Sequence, residues 1–300
     1  MQLWQEGETG TPRVLPGPAA LGFVGNEESG WVRSLRGRDM RFHLLSTLDE
    51  LVHAERLQEE VFGVSERDLI PANELIVVAE TGGAVIAAFL PDRPDLAAGV
   101  VLGWGGFVGR PRIVSDFLAV HPTARNLGLA AELKRLQAGL ALERGFAEIV
   151  WTVDPLRAAN ARLNFAKLGA TANHYEIDRY GSGFASTLYG GMPTDRVHVT
   201  WEIANPRVIA RLLSQAEIPA EPGFMWYEPF TSASEALIAI PADIDAMLAN
   251  QPADALAWRH RLRELLPKAF AEGFAITGFR AAREDAEPAL ILERRDTDPI

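Results

Sequence analysis

The chain has no cysteine among its 300 residues, which excludes disulfide bonds, thiolate catalysis and cysteine-ligated metal sites. Its six histidines show neither H-x-H nor H-E-x-x-H spacing, so we expect no metal site. No apolar run reaches transmembrane length, and the amino terminus lacks the charged and apolar regions of a signal peptide. Neither G-x-S-x-G nor a P-loop motif occurs. We therefore expect a cytoplasmic protein that is neither a serine hydrolase of the G-x-S-x-G type nor a P-loop nucleotidase.

Positive charge is scarce, with 29 lysine and arginine residues against 40 aspartate and glutamate residues. The formal net charge of −11 argues against general binding to nucleic acid or to a membrane surface. A hydrophobic content of 48% is normal for a soluble globular protein. Composition and pattern predict three parts: an irregular extension over 1–39, a core over 40–205, and a smaller α+β region over 206–300 packed on that core.

The most informative segment runs from Ser115 to Leu140. A short apolar strand ends at His121-Pro122, a glycine-containing loop follows, and leucines then recur at helical spacing. The unpaired amides of a helix's first turn, together with the helix dipole, favour a bound anion. The segment therefore predicts a phosphate-binding loop around Gly128, with Arg125, Lys134 and Arg135 as candidates for a local basic patch.

The remaining pattern alternates strands and helices, which predicts an α/β fold with a mixed sheet. Thr47 is the expected N-cap of the first helix, and Gly82-Gly83 predicts a hairpin turn. The predicted strands of the core cover 40–45, 75–80, 84–90, 100–108, 113–120, 148–153, 173–177 and 196–203. Its predicted helices cover 47–61, the segment ending near Glu143, and 155–168. Further along, a strand over 236–240, helices within 242–273 and a hairpin of 275–279 with 289–293 are expected.

The loop sequence R-x-x-G-x-A, from Arg125 to Ala130, resembles the acyl-CoA pyrophosphate loop of the Gcn5-related N-acyltransferase (GNAT) superfamily. The order of elements over 40–203 is also that of the GNAT fold, whose central strands are splayed. Three longer strings narrow the resemblance to one subgroup of this superfamily: W-T-V-D-P-L at 151–156, N-A-R-L-N-F-A-K-L-G-A at 160–170 and G-M-P-T-D-R at 191–196. This part of the chain resembles the acyltransferases that are encoded beside N-succinylamino acid racemases and that succinylate amino acids.

The resemblance implies an acyl-CoA-dependent N-acyltransferase that moves an acetyl or succinyl group to the amine of a small molecule, such as an amino acid. The amine would attack the thioester directly within a ternary complex. The residues expected to contact acyl-CoA are the end of the strand, the loop and two asparagines of the next helix: Leu118, Ala119, Val120, Arg125, Asn126, Leu127, Gly128, Leu129, Ala130, Asn160 and Asn164. The two asparagines could instead be exposed polar residues of an amphipathic helix.

Asp116 is the candidate for accepting the proton of the attacking amine. A carboxylate in an apolar strand is costly unless it is paired or functional, although it could also cap a loop or pair with an arginine. Regular alternation predicts that Asp116 and Leu118 share one face of the strand, while Ser115 and Phe117 share the other. His121 is a rival base, and His-Pro at a strand end is also typical of a simple turn.

The group that protonates the leaving thiolate departs from the family pattern. Many GNAT enzymes carry a tyrosine where this chain has Phe165, which has no proton to donate. Tyr175, Tyr180 or water would have to supply that proton. Arg196 suits an acceptor carboxylate, because guanidinium groups bind carboxylates with two hydrogen bonds, but it could also pair locally with Asp195.

Two other functions remain open. Phe165 is compatible with a non-catalytic acyl-CoA-binding sensor or scaffold of the same fold, which would bind acyl-CoA without turnover. The acidic chain could also attract basic peptides, which leaves a protein-lysine acetyltransferase as a third alternative. The chain could form a homodimer, and neither the acyl group nor the acceptor follows from the sequence.

Overall fold

The computed structural model describes residues 15–64, 68–181, 189–214, 225–284 and 286–295. Its strands are β1 Val24–Asn26, β2 Gly30–Leu35, β3 Arg38–Leu44, β4 Ala84–Leu90, β5 Arg93–Gly106, β6 Arg112–Val120, β7 Ile149–Val153, β8 Thr171–Glu176, β9 Arg196–Trp201, β10 Met225–Trp226, β11 Glu235–Ala239, β12 Phe274–Arg280 and β13 Ala289–Arg294. Its helices are α1 Leu48–Phe62, α2 Ala72–Glu80, α3 Leu129–Glu143, α4 Ala158–Ala161, α5 Pro206–Ser214, α6 Ile244–Asn250 and α7 Pro252–Ala271. A 3-10 turn spans Pro122–Ala124, and a π-helical segment, Arg162–Lys167, continues α4.

Within the described residues, the strands form one mixed sheet in the order β1-β2-β3-β4-β5-β6-β7-β9-β8-β12-β13-β11-β10. Neighbouring strands are antiparallel except for the pairs β6–β7 and β10–β11, which are parallel. The predicted fold class, a mixed α/β sheet, is confirmed. None of the described helices combines the length and apolar character that crossing a membrane requires.

Helices cover both faces of the sheet around β4, whose seven residues are all buried. Ile86 and Ala88 belong to the core beneath α3, while Val85 and Ala87 belong to the core beneath α1 and α2. The alternation follows from the two-residue period of a strand. A strand covered on both sides reads as a continuous apolar run, as this one does.

The central strands β6 and β7 separate soon after they meet. Their register contains only the pairs Ile113–Ile149 and Val114–Val150, although β6 continues to Val120. The splayed central strands that the resemblance implies are therefore present. The separation opens a cleft lined by main-chain groups in the middle of the sheet.

A β-bulge in β6 lies at the start of this cleft. Val101 pairs with Leu118 and Gly103 pairs with Ser115, so two residues of β6 stand opposite Leu102 alone. The extra residue interrupts the alternation of the strand.

The predicted faces of β6 are confirmed for Phe117 to Val120, where Phe117 and Ala119 face α1 while Leu118 and Val120 face α3, but the bulge makes the prediction wrong for Ser115. Ser115 accepts a hydrogen bond from Lys134 of α3 at 2.7 Å, whereas the ring of Phe117 packs edge-on against Phe62 of α1, with centroids 6.4 Å apart. Ser115 and Phe117 therefore lie on opposite faces of the sheet.

The predicted strand over 75–80 is also wrong, because these residues belong to α2. Leu75 is fully buried while Val77 is about half exposed, which is the one-sided burial of a helix packed on a neighbour. Thr81 and Gly83 end the helix through backbone bonds to Val77 and Val78. A short apolar run is ambiguous between strand and helix, and here β4 pairs with β3 and β5 rather than with residues 75–80.

The irregular structure predicted for 1–39 is wrong for at least two segments, since β1 and β2 are regular strands that pair with each other. Trp31 anchors β2 in the core at 3% exposure. Residues 1–14 lie outside the described part of the chain. The division into parts at 39 and 205 stays a prediction, and the sheet runs past 205 through the pair Ala172–Ile276.

A buried ion pair fixes helix α7 to the segment after β7. Arg259 donates to both carboxylate oxygens of Asp154 at 2.9 and 2.6 Å, and both side chains are almost fully buried. Asp154 also accepts the backbone N–H of Leu156, so it caps the turn before α4 and in addition holds α7. One turn along α7, Arg263 makes a similar bidentate contact with Asp195.

We predict that Arg259→Ala lowers the free energy of unfolding by about 3–5 kcal/mol, because it leaves the Asp154 carboxylate buried without its cation. Urea denaturation followed by circular dichroism measures the change. Lys268→Ala, which removes an exposed ion pair with Glu264 on the same helix, is the matched control and should cost less than about 1 kcal/mol. Equal losses in the two variants would contradict the prediction.

Candidate functional site

The loop before α3 has the geometry of an anion-binding site. Gly128 is the N-cap residue, with a left-handed φ of 85°, and no side chain caps the helix. No heavy atom lies within 4 Å of the position that a Cβ on Gly128 would occupy, so the space before the helix is open. The N–H groups of Leu129 and Ala130 lie in the first turn, where a helix offers no internal acceptor. This arrangement suits a phosphate group.

The predicted loop residues come together as a unit. Arg125 and Asn126 are exposed, and Asn126 adopts a left-handed φ of 65°. Leu127 is half-buried, and Leu129 is buried in the core at 1% exposure, which anchors the loop. Ala130 is half-buried and leaves room beside the first turn.

The basic patch predicted with Arg125 does not form as expected, because Lys134 and Arg135 are both buried. His121 accepts the backbone N–H of Thr123 and contacts Glu60 at 3.4 Å. It therefore caps the 3-10 turn, which supports its interpretation as a turn residue.

The residues Leu118, Ala119 and Val120 form the wall of the cleft that leads to the loop. Leu118 and Val120 pack toward the α3 core, and Ala119 is buried toward α1. The register of β6 with β7 ends before these residues, so in the described structure their β7-facing edge has no strand partner. A main-chain edge of this kind can accept hydrogen bonds from an extended ligand.

Asp116 lies at the bulge, where the cleft begins. Burial by the surrounding walls raises the pKa of its carboxyl group, and the positive charge of Arg179 opposes that rise. Its side chain still reaches solvent. A carboxylate with a raised pKa that solvent can reach is suited to accepting a proton.

A polar group that the sequence did not reveal lies on the face of β7 and β9 opposite α3. Thr152 pairs with His198 across the two strands, and the Glu176 carboxylate bonds His198 Nε2 at 2.7 Å. Arg179 also pairs with Glu176, and these two partners lower the pKa of Glu176. The hydroxyl of Tyr180 lies 3.4 Å from that of Thr152. Only the strand register brings these residues together, and no local pattern could have identified them.

The two candidate tyrosines occupy different surroundings. Tyr175 donates its hydroxyl proton to Asp195 at 2.7 Å, and both burial and this carboxylate raise the pKa of Tyr175 well above its usual value. Tyr180 is 43% exposed and belongs to the polar group around Thr152. Phe165 is fully buried in the core. Tyr180 is therefore better suited than Tyr175 to donate a proton at the cleft.

Arg196 is held between aromatic rings. Its guanidinium lies 5.0 Å from the ring of Tyr180 and 4.9 Å from that of Tyr189, whose hydroxyl it contacts at 2.8 Å. The Asp195 carboxylate bonds Arg263 and Tyr175, so the local Asp195–Arg196 side-chain pair does not form. Arg196 donates instead to the backbone oxygen of Asp195.

The asparagines expected to contact acyl-CoA differ in exposure. Asn160 is half-buried on α4, whereas Asn164, in the π-helical segment, is 3% exposed. The change from α to π geometry begins at Arg162, between the two residues. A π segment within a helix often marks a functional region.

Lys134 lies beneath the point where β6 and β7 separate. Its amine donates to Ser115 of β6 at 2.7 Å and lies 3.8 Å from the ring centroid of Trp151 of β7. A longer contact, at 3.4 Å, reaches the side-chain oxygen of Gln137. Burial lowers the pKa of Lys134 to about 7. This amine therefore connects α3 to both diverging strands.

Within the described residues, no cluster of three or more histidine, aspartate or glutamate side chains could hold a metal ion. Trp151 and Trp201 are core residues, with rings packed edge-on 6.1 Å apart.

No protein-family model and no curated protein matches this chain. Among solved structures, it is similar to the ribosomal-protein-S18-alanine N-acetyltransferase from Escherichia coli, at 14% identity and a TM-score of 0.44 over 55% of this chain and 95% of that one. It is also similar to a GNAT-family acetyltransferase from Streptococcus pneumoniae, at 15% identity and a TM-score of 0.43 over 54% and 97% of the two chains. The chain is likewise similar to an N-acetyltransferase from Staphylococcus aureus, at 15% identity and a TM-score of 0.44 over 55% of this chain and 98% of that one. Identities and TM-scores this low do not establish a family or an activity for this chain.

We predict that the stability of the protein rises with pH above about 7, in part because of Lys134. Its pKa is lowered in the folded state, so between pH 7 and 10.5 the unfolded chain binds more protons than the folded one. The free energy of unfolding then increases by up to roughly 1.4 kcal/mol per pH unit from this group. Urea denaturation of the wild type and of Lys134→Met from pH 6.5 to 9.5 measures the difference.

Lys134→Met should remove this part of the slope, whereas Lys268→Met, at an exposed lysine, should retain it. Parallel stability curves for the wild type and Lys134→Met would show that Lys134 titrates normally and would refute the prediction.

Proposed function

We propose that the protein is an acyl-CoA-dependent N-acyltransferase that transfers an acetyl or succinyl group to the amine of a small molecule. One observation carries the proposal: β6 separates from β7 after Val114, and the loop that follows β6 at Val120 ends at the uncapped amino terminus of α3 at Gly128. A ligand with an extended, amide-containing arm next to a diphosphate matches this order of features, and coenzyme A has that form.

On the donor side, the first-turn amides of α3 and Arg125 bind the diphosphate. The unpaired edge of β6 at Leu118 to Val120 bonds the amide groups of the pantetheine arm. A backbone amide near the bulge polarises the thioester carbonyl, and such a preorganised donor contributes roughly 3 kcal/mol to transition-state stabilisation.

On the acceptor side, a neutral amine attacks the thioester carbon, forming the C–N bond. Asp116 accepts the amine's proton directly or through a water molecule. The C–S bond breaks, and the thiolate takes a proton from Tyr180 or from water. The support for these roles is the raised pKa of Asp116 and the exposed hydroxyl of Tyr180 beside Thr152.

An amino acid is the acceptor that the narrower resemblance implies, and succinyl-CoA is the corresponding donor. Arg196 would then bind the acceptor carboxylate. Its burial between Tyr180 and Tyr189 supports a rigid guanidinium and limits its access to an acceptor. A cytoplasmic location and a homodimer belong to the same proposal and rest on the sequence.

The second candidate, a non-catalytic acyl-CoA sensor, is favoured by one specific observation. The residue at the usual acid position, Phe165, is fully buried and has no proton to donate. The sensor and the enzyme would bind acyl-CoA alike, so only turnover separates them.

We predict that the purified protein releases free thiol from acetyl-CoA or succinyl-CoA in the presence of small amines or amino acids. Thiol release is followed with a thiol-reactive dye against a panel of D- and L-amino acids and simple amines. Asp116→Asn should lower kcat by about 100-fold, because its side chain no longer accepts the proton.

Calorimetry of acyl-CoA binding is the control, since Asp116→Asn should leave that affinity within about twofold of the wild-type value. Stoichiometric binding without thiol release for any pair would favour the sensor. Full activity in Asp116→Asn would reject Asp116 as the base while leaving the transferase assignment intact.

We predict that Gly128→Asp and Arg125→Glu each raise the KM for acyl-CoA by at least about tenfold, equivalent to roughly 1.4 kcal/mol. An aspartate at the N-cap would accept the first-turn amides itself and would carry a negative charge where the diphosphate lies. Steady-state kinetics at a saturating amine concentration measures the effect.

Gly128→Ala is the matched control, since it introduces the same left-handed strain without the charge. It should raise the KM much less than Gly128→Asp does. Unchanged kinetics in both charged variants, with folding verified by circular dichroism, would refute the role of the loop.

A further inference from the structure

A cavity of about 350 Å³ lies beside the loop at Gly128, and none of the residues that line it belongs to β6 or β7. Leu127, Gly128 and Ala131 form one wall, so the cavity adjoins the anion-binding loop at Gly128. The other walls come from the turn between β2 and β3, the end of the π-helical segment and α5. Its volume is in the range of pockets that bind small ligands such as nucleotides.

The walls of the cavity concentrate positive charge in an acidic protein. Five basic side chains and one acidic side chain line it, whereas the whole chain carries a net charge of −11. The basic residues are Arg33, Arg36, Arg135, Lys167 and Arg211. The single acid, Glu132, pairs with Arg33 at 2.5 Å and with Arg135 at 2.9 Å. Its charge is therefore already compensated, and the cavity as a whole favours an anion.

Three of these cations come from segments with defined positions. Arg36 is in the β2–β3 turn, where it and Gly37 adopt left-handed φ angles of 50° and 79°. Arg211 of α5 donates to the carbonyl oxygens of Phe165 and Ala166, which holds it next to Lys167. Burial lowers the pKa of Arg211, but arginine remains protonated at neutral pH.

We propose that this cavity binds the 3′-phosphorylated adenosine of the acyl-CoA donor, and that Arg36, Lys167 and Arg211 select coenzyme A over dephospho-coenzyme A. The proposal rests on the proposed function and identifies a second part of the donor site. In coenzyme A, the diphosphate joins the pantetheine arm to the phosphorylated adenosine. In this structure Gly128 lines the basic cavity, and the loop that contains it follows β6, whose pairing with β7 ends at Val114.

Two of the three selecting residues come from outside the predicted core of 40–205. Arg36 precedes residue 40, and Arg211 follows residue 205. The hairpin of β2 and β3 and the helix α5 thus complete the donor site. The hairpin contributes Arg36, and α5 contributes Arg211. A phosphomonoester with a charge of about −2 is the group that three such cations suit.

Isothermal titration calorimetry with coenzyme A and dephospho-coenzyme A tests the proposal. We expect the wild type to bind coenzyme A at least about tenfold more tightly, since hydrogen bonds between charged groups are among the strongest in proteins. Arg36→Ser and Lys167→Gln should each reduce that preference by about threefold or more and leave the affinity for dephospho-coenzyme A within about twofold. Arg38→Ser, an exposed arginine in the same hairpin that does not line the cavity, is the matched control and should preserve the preference.

The outcomes separate the two proposals. If neither compound binds, the proposed function fails. If both bind to the wild type with equal affinity, the cavity does not recognise the 3′-phosphate and the inference is overturned, while the proposed function stands. Equal losses for both compounds in the variants would also overturn it. Competition by inorganic phosphate that abolishes the preference without affecting dephospho-coenzyme A would support a phosphomonoester site.

Discussion

The separation of β6 from β7 is the constraint on which the rest of the site depends. Two parallel strands that pair through only Ile113 and Val114 leave main-chain donors and acceptors facing a gap, and such groups are costly unless water or a ligand pairs with them. A bulge at Asp116 begins the gap in β6, and the amine of Lys134 links α3 to both strands below it. The sheet thereby contains a stable opening whose polar edge can bind an extended ligand.

Charge is distributed so that buried acids and arginines join the ends of the chain to its middle. Asp154 and Asp195 hold α7 through Arg259 and Arg263, and Glu132 joins α3 to the amino-terminal hairpin through Arg33. Buried pairs of this kind contribute little net stability, but separating them is expensive, so they fix relative positions. The amino-terminal hairpin is therefore fixed against α3, and α7 is fixed against the segments that contain Asp154 and Asp195.

Sequence reasoning succeeded where the determining interactions are local. The helix after Gly128 followed from the spacing of its leucines, and the start of α1 from Thr47 as its N-cap. It failed over 75–80, where an apolar run fits a strand or a helix and packing on α1 decides between them. It also failed for the face of Ser115 in β6, because a bulge depends on the partner strand and has no pattern of its own.

By itself, the sequence determined the fold class, most element positions and the glycine-containing loop before α3, because each depends on residues within one or two turns of each other. Only the tertiary structure decided which side chains share the face of β7 and β9 opposite α3 and which cations surround the cavity. Glu176, His198 and Thr152 meet through strand register, and Arg36, Lys167 and Arg211 meet through packing of segments far apart in the chain. Such contacts depend on the three-dimensional arrangement of the whole chain, which a local pattern does not encode.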